Sequence, residues 1–269
     1  MKLDAGQHAF ITGGASGLGL GIADALLARG LRVTIADANA ETLEQVLATR
    51  GAAVRGVLLD VRDREGWARA RQEAEAAFGP VDVLVNNAGI APNGKPFAEM
   101  PPESFDQILA INLGGVFNGV SAFALAMRER GRGHIVNTSS MAGLSPSIVG
   151  VGAYATAKFG VTALTESLRK ELADHGVGVT LLCPGYVVTG LSANTAKLGG
   201  LTRGAPPPGM KMPESDVTSE DVGAMVIEAI EKDEPLIVTH AGSWPEIEKR
   251  FDTIKAACDK ADARGLGAR

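Results

Sequence analysis

The chain of 269 residues carries 26 basic and 31 acidic side chains, for a net charge of −5, and 45% of its residues are hydrophobic. These values are typical of a folded globular protein and exclude a disordered chain, a coiled coil and a collagen-like repeat. The acidic balance argues against a nucleic-acid partner. Two cysteines, Cys183 and Cys258, are too few for a disulfide framework.

Targeting and metal-binding signals are both missing from the sequence. The N-terminus lacks the basic start and apolar run of a signal peptide, and no stretch approaches the roughly 18 consecutive apolar residues of a membrane span. We therefore expect a cytoplasmic protein with no membrane partner. The four histidines show no metal-ligand spacing, so no metal site is expected. His134 precedes a predicted strand and is expected at the surface or at a sheet edge.

Short apolar runs alternate with amphipathic helices along the chain. The predicted strands are, in chain order, a run ending at residues 10–12, then 32–37, 54–61, 81–85, 135–137, 177–182 and 236–239. The predicted helices are one that ends at Gly30, a polar one containing Trp67 and Phe78, and the stretches 104–130, 154–175 and 219–232.

This alternation predicts an α/β fold, a doubly wound, Rossmann-like parallel sheet of about seven strands with helices on both faces. No composition break divides the chain, so residues 1–269 are expected to form a single domain. The segment 190–216, which contains three consecutive prolines, is expected to be a mobile substrate loop inserted near the C-terminal end.

A glycine-rich turn, TGGASGLG at 12–19, joins the first predicted strand to the first helix. Glycines at 13, 17 and 19 allow a sharp turn and bring the helix N-terminus close to a ligand, which favours a pyrophosphate. Taken alone, the cluster is also compatible with a turn that binds nothing. The lysine that a Walker P-loop requires is missing.

Asp37 ends the second predicted strand, about 20 residues beyond the glycine turn. A carboxylate there can accept hydrogen bonds from an adenosine ribose and would repel a 2′-phosphate. Ser16 and Ala38 supply no basic side chain that would attract such a phosphate. These residues favour NAD over NADP, although an exposed turn aspartate would look the same.

Tyr154 and Lys158 lie four residues apart at the start of a predicted helix, so their side chains share one face. A lysine cation beside a phenol lowers its pKa and makes the tyrosine a better base. The bare spacing is also that of a tyrosine anchored near a solvated lysine.

Several motifs occur together and in order along essentially the whole chain: TGGASGLG at 12–19, NNAG at 86–89, Asn112, NTSS ending at Ser140, YATAK at 154–158 and PGYVVT at 184–189. The set resembles the short-chain dehydrogenase/reductase family. The resemblance implies four catalytic residues, Asn112, Ser140, Tyr154 and Lys158. Ser139 is the competing serine, but Ser140-Met-Ala-Gly matches the serine-x-x-glycine pattern of the family better.

The resemblance also implies the residues that bind the cofactor. They are Gly13, Ser16, Gly17, Leu18, Gly19 and Asp37, then Asp60 and Val61 at the adenine, Asn87, Ala88 and Gly89 at the ribose, Tyr154 and Lys158, and Pro184, Gly185, Val187 and Thr189 at the nicotinamide and phosphates. Asn86 is expected to be structural.

By this resemblance the protein is an NAD-dependent oxidoreductase that transfers a hydride between a secondary alcohol or ketone and the nicotinamide. Tyr154 would take the alcohol proton, Ser140 would bind the substrate oxygen, Lys158 would lower the tyrosine pKa and hold the nicotinamide ribose, and Asn112 would support a water relay to Lys158. A protein that only senses NAD would use the same fold but would not need these four residues. A sugar epimerase or dehydratase would need a longer C-terminal domain.

Apolar residues follow Ser140 and recur in the expected loop, which favours an apolar or aryl substrate. They are Met141, Ala142, Leu144, Ile148, Val149, Val151 and Tyr186, with Leu191, Leu198, Leu201, Met210 and Met212 in the loop. The stretch VTHAGSWPEIEKRF at 238–251 is similar to bacterial dehydrogenases of benzylic alcohols. An aliphatic or steroid-like ketone reductase is the alternative. Apolar surfaces on helices 104–130 and 154–175, together with the resemblance, imply a homotetramer or homodimer.

Overall fold

The computed structural model describes residues 1–146, 148–187, 191 and 216–264. Seven parallel strands form one sheet in the order β3-β2-β1-β4-β5-β6-β7. The strands are β1 His8–Thr12, β2 Arg32–Asp37, β3 Val54–Leu58, β4 Val83–Asn86, β5 Gly133–Thr138, β6 Val177–Cys183 and β7 Leu236–Val238. The helices are α1 Gly17–Ala28, α2 Ala40–Leu47, α3 Arg64–Phe78, α4 Pro102–Leu109, α5 Gly115–Arg130, α6 Gly152–Leu172, α7 Ser219–Lys232 and α8 Trp244–Asp262.

Two apolar cores cover the two faces of the sheet. Successive side chains of a strand point to opposite faces, so Phe10 enters one core and Ile11 the other. Helices α1 and α7 cover the Ile11 face, while α3, α5 and α6 cover the Phe10 face. The doubly wound architecture predicted from the alternation is confirmed.

The strand order reverses between β1 and β4, which pair with each other in the middle of the sheet. Chain connections leave β1 and β4 in opposite directions, so a crevice opens beyond their carboxyl ends. Ligands of doubly wound folds bind in this crevice. The glycine-rich turn follows β1 and the NNAG motif follows β4, so both motifs border it.

Several predicted boundaries were wrong. The third strand ends at Leu58 rather than at residue 61. The helix predicted over 104–130 contains one wide π-turn, Ala110–Gly114, between α4 and α5. The helix predicted from residue 154 begins at Gly152, and its α-helical part ends at Leu172 before a short 3₁₀ turn. Helices α2 and α8 were not predicted: α2 has only eight residues, and α8 is largely exposed, with Ile247 as its one buried residue.

His134 is not at the surface or at a sheet edge, so that prediction was wrong. It lies within β5, between β4 and β6, and is fully buried. Its Nε2 lies 2.8 Å from Thr180 Oγ1. Burial lowers the pKa of His134 to about 4, so the ring is neutral at physiological pH.

No stretch of the sequence has 18 consecutive apolar residues, but one helical stretch passes a looser composition test for a membrane span. Pro102–Arg130 is long and apolar enough to cross a membrane by length and composition, and the mean hydropathy of its most apolar 18-residue window is 1.7. Half of its most apolar window is buried inside the fold. The central helix of a sheet-based core passes the same composition test, because burial against the sheet favours the same residues.

Candidate active site

The glycine-rich turn packs directly against the segment that follows β4. A Cβ on Gly19 would lie 2.2 Å from the carbonyl oxygen of Gly13 and 2.6 Å from Asn87 Nδ2. Gly13 has a φ of +61°, and a Cβ there would lie 2.9 Å from the Cα of Ala88. The turn therefore approaches its neighbour too closely for any side chain at these two positions.

Thr12 and Asn87 fix this close approach by hydrogen bonds. The hydroxyl of Thr12 accepts from the backbone N–H groups of Asn87 at 3.0 Å and Ala88 at 3.1 Å. Asn87 Nδ2 donates to the carbonyl oxygens of Thr12 at 3.1 Å and Gly13 at 3.3 Å. Helix α1 begins just beyond, at Gly17, and has no acidic residue in its first turn. A turn that has no side chains at Gly13 and Gly19 and leads into a helix N-terminus fits the pyrophosphate of a dinucleotide.

Asp37 is held at the end of β2, facing the glycine turn. Its Oδ2 accepts from the backbone N–H of Ala15 at 3.2 Å, and its Oδ1 accepts from that of Asn39 at 3.0 Å. The carboxylate is therefore fixed beside the turn and remains partly exposed. In dinucleotide-binding folds, a carboxylate at this position binds the adenosine ribose.

Asp60 and Val61 follow β3 and differ in their surroundings. Asp60 pairs with Arg62 at 2.6 Å, and this hydrogen-bonded guanidinium holds the pKa of the carboxyl below its ordinary value. Val61 is buried, and its carbonyl oxygen accepts from Trp67 Nε1 at 3.0 Å and Asn118 Nδ2 at 2.9 Å. Contact of this pair with an adenine stays a prediction.

Tyr154, Ser140 and Lys158 meet where β5 ends against the start of α6. The hydroxyl of Ser140 lies close enough to Tyr154 to lower its pKa, and it accepts from the backbone N–H of Ala142 at 3.1 Å. Lys158 Nζ lies 5.6 Å from the centre of the Tyr154 ring and donates to the carbonyl oxygen of Thr138 at 2.8 Å. One polar cluster therefore contains three of the four predicted catalytic side chains.

The pKa of Tyr154 differs from the expectation that Lys158 lowers it. Burial raises the pKa of Tyr154 above its ordinary value, and the nearby hydroxyl of Ser140 lowers it in part. Burial also lowers the pKa of Lys158 to about 8. The carbonyl oxygen of Thr138 holds the Lys158 ammonium. Lys158 therefore stabilises a Tyr154 phenolate by less than burial destabilises it.

Asn112 lies in the π-turn between α4 and α5 and is fully buried. Its Oδ1 accepts from the backbone N–H of Ile90 at 2.7 Å, and its Nδ2 donates to the carbonyl oxygen of Ile90 at 3.0 Å. A Cβ on Gly89 would lie 2.9 Å from Asn112 Oδ1 and 3.8 Å from Lys158 Nζ. Asn112 thus ties the NNAG segment to the helix beside Lys158.

The two serines after β5 have different neighbours. Ser139 is turned into the protein, where its hydroxyl donates to the carbonyl oxygen of Lys158 at 2.8 Å. Ser140 alone contacts the tyrosine. Asn86 lies inside the sheet and donates to Asn137 Oδ1 at 2.8 Å, as a structural residue would.

The segment after β6 leads back to the same crevice. Gly185 donates through its backbone N–H to Thr239 Oγ1 at 3.0 Å, and a Cβ on Gly185 would lie 2.5 Å from His240 Nδ1. Pro184 and Val187 are buried. Sequence reasoning missed Thr239 and His240, whose only signal is their position at the end of β7. Thr189 and the loop residues Leu198, Leu201, Met210 and Met212 lie outside the described residues.

Exposed apolar side chains occupy the segments that adjoin the cluster along the chain, before α6 and after β6. Ile148, Val149 and Tyr186 are exposed, Val149 by 81%, although large apolar side chains usually avoid water. Met141 and Leu144 pack against buried residues of α5, α6 and β6. An exposed apolar rim beside a partly buried polar cluster is typical of a site for an apolar ligand.

Comparison with known proteins identifies relatives over most of the chain. A family model described as short chain dehydrogenase matches residues 7–198. The "C alpha-dehydrogenase" of Sphingobium sp. (strain NBRC 103272 / SYK-6) is 37% identical over 190 residues, which cover 69% of this chain and 62% of that protein. "Probable oxidoreductase EphD" of Mycobacterium tuberculosis is 40% identical over 189 residues. That match covers 69% of this chain but only 32% of that protein, so the chain spans about a third of its length.

A solved structure shares the whole fold. The short chain dehydrogenase/reductase from Burkholderia phymatum in complex with NAD superimposes with a TM-score of 0.84 at 30% sequence identity. The match covers 96% of this chain and 97% of that one. The family model, the motifs and the fold agree. The chain belongs to the short-chain dehydrogenase family.

Proposed function

We propose that the protein is an NAD-dependent oxidoreductase that interconverts a secondary alcohol and a ketone. The observation that carries the proposal is the cluster of the half-buried Ser140 and Tyr154 with the buried Lys158, which lies at the crevice bordered by the glycine-rich turn. Tyr154 can act as a base, Ser140 as a hydrogen-bond donor and Lys158 as a cation. Such a combination of neighbouring groups suits the removal of a proton from an alcohol.

In the direction of oxidation, the hydroxyl of Ser140 binds the substrate oxygen and the phenolate of Tyr154 accepts its proton. Bound NAD would accept the hydride that leaves the alcohol carbon. Lys158 supplies a positive charge close to the phenolate and would hold the nicotinamide ribose. Asn112 holds the main chain of Ile90 and so fixes the segment after β4 next to Lys158.

The substrate we propose has an apolar body, and an aryl group next to the alcohol fits best. The exposed rim of Ile148, Val149 and Tyr186 would lose contact with water when such a body binds. Similarity to a protein named C alpha-dehydrogenase also supports an aryl alcohol. An aliphatic or steroid-like ketone remains the second candidate, because the same rim would accept it.

A panel of secondary alcohols with NAD, followed by NADH absorbance, tests this function. It contains a 1-phenylpropanol-type alcohol, an aliphatic alcohol, a sterol and a polyol. We expect the aryl alcohol to exceed the polyol in kcat/KM, because its ring buries apolar surface at the rim and the hydroxyl groups of the polyol do not. Faster turnover of the polyol would contradict an apolar pocket. NADH formation with none of the alcohols would favour a protein that only senses NAD.

Asp37→Ala should reduce the preference for NAD over NADP. We expect the wild type to prefer NAD by about tenfold or more in kcat/KM, because the fixed carboxylate of Asp37 opposes a 2′-phosphate of like charge. The variant should approach equal use of both cofactors. Asp252→Ala, which removes an exposed carboxylate on α8, is the matched control. Equal use of both cofactors by the wild type would contradict the role of Asp37.

We further propose a cytoplasmic homodimer or homotetramer that assembles through α5 and α6. Phe117 and Leu125 on α5 are half exposed, and contact with a second copy of the chain would remove both from water. Light scattering at micromolar concentration should give at least twice the mass of 27.7 kDa. A mass equal to one chain would contradict the assembly.

A further inference from the structure

Two serines follow β5 in succession, and the proposed reaction uses only the second. Neighbouring side chains on extended backbone point to opposite sides, and Ser140 is extended, with φ −172° and ψ 163°. Because Ser140 contacts Tyr154, Ser139 is turned away from the site into the protein, where only 2% of it is exposed.

The hydroxyl of Ser139 joins the end of β5 to the main chain of α6. Its Oγ donates to the carbonyl oxygen of Lys158 at 2.8 Å and lies 3.1 Å from Thr162 Oγ1. The side chain of the same Lys158 donates to the carbonyl oxygen of Thr138 at 2.8 Å. Three consecutive residues thus hold three parts of the site: Thr138 holds the Lys158 ammonium, Ser139 holds the Lys158 main chain, and Ser140 contacts Tyr154.

The surroundings of Ser139 leave it little freedom. A Cβ on Gly143 would lie 2.3 Å from Ser139 Oγ and 2.7 Å from the carbonyl oxygen of Lys158, so the loop after Ser140 packs against this hydrogen bond. On the sheet side, the buried thiol of Cys183 lies next to the Ser139 side chain and the Ser140 backbone, which lower its pKa in part, while burial raises it. A hydrogen bond enclosed in this way is stronger than one in water and fixes its partners more closely.

We propose that Ser139 is a positioning residue, whose hydroxyl fixes the start of α6 against the end of β5 so that Ser140 keeps its place beside Tyr154 and Lys158. The inference rests on the proposed function, which gives that placement its role. Loss of the Ser139 hydroxyl would let α6 and the serine loop shift relative to each other. Small displacements of reacting groups lower rates strongly.

The titration of Tyr154 tests this role without substrate or cofactor. The chain contains two tyrosines, Tyr154 and Tyr186, so in a Tyr186→Phe background the ultraviolet absorbance of the phenolate reports Tyr154 alone. Ser139→Ala removes the hydroxyl, and Gly143→Ala displaces it without removing it. Both should raise the pKa of Tyr154 by about one unit, because the Ser140 hydroxyl that lowers it is displaced. In the chain that retains Tyr186, both should also lower kcat about tenfold.

Thr165→Val is the matched control, since it removes another buried hydroxyl between the same strand and helix. Asn137 Nδ2 donates to Thr165 Oγ1 at 3.1 Å, and this link lies farther along α6. The variant should lower Tm as Ser139→Ala does, yet leave the Tyr154 titration unmoved. An unshifted titration in both Ser139→Ala and Gly143→Ala, or an equal shift in Thr165→Val, overturns the inference. If the wild type oxidises no alcohol, the proposed function fails, whereas the titration still decides whether Ser139 positions Ser140.

Discussion

Tyr154→Phe should lower kcat for alcohol oxidation by about a thousandfold while NADH still binds with nearly wild-type affinity. The substitution removes only the oxygen that would accept the alcohol proton. The remaining ring still packs beside Lys158, whose Nζ lies 5.6 Å from the ring centre. Steady-state NADH absorbance gives kcat, and a fluorescence titration with NADH gives the affinity.

Tyr186→Phe is the control, because Tyr186 is the only other tyrosine and stands at the exposed rim. It should cause a far smaller loss of kcat. Turnover by Tyr154→Phe within about tenfold of the wild type would exclude Tyr154 as the proton acceptor. A parallel loss of NADH affinity would instead indicate a damaged fold.

The pH dependence of the wild type should follow from the same residue. Oxidation requires the Tyr154 phenolate, and burial raises the pKa of this phenol. The rate of oxidation should therefore still rise with pH above neutrality, while ketone reduction, which needs the protonated phenol, should slow. Initial rates in both directions across a pH series measure this. Oxidation that slows as the pH rises from neutral would contradict the assignment.

Gly19→Ala should weaken NADH binding by about 10- to 100-fold. Alanine is normally the better residue inside a helix, so a loss cannot come from helix propensity. It comes from the added Cβ, which would lie 2.2 Å from the Gly13 carbonyl oxygen and 2.6 Å from Asn87 Nδ2. To relieve these contacts, α1 must move away from the turn that would hold the pyrophosphate.

Gly51→Ala is the matched control, because nothing lies within 4 Å of a Cβ at that position. It should change neither NADH affinity nor Tm measurably. Fluorescence titration and thermal unfolding of both variants separate a binding defect from a folding defect. Wild-type affinity in a folded Gly19→Ala protein would show that the turn does not bind the dinucleotide.

The sequence by itself determined the fold class and the main parts of the candidate site. Buried parallel strands are short, apolar and β-branched, and they alternate with helices, so their pattern survives in one sequence. The second strand, Arg32–Asp37, and the helix Ser219–Lys232 were predicted with the bounds that the structure has. The glycine-rich turn could be predicted because close backbone approach admits only glycine.

Only the tertiary structure decided features that depend on distant contacts. His134 is buried because β4 and β6 flank its strand, which no local pattern records. The π-turn at Asn112 forms where that side chain bonds the main chain of Ile90, 22 residues earlier. Ser139 points into the protein and Ser140 towards Tyr154, and this difference depends on how α6 packs against the end of β5. The pKa of Tyr154 is raised because packing removes water from the phenol, and burial of this kind arises only when the whole chain is folded.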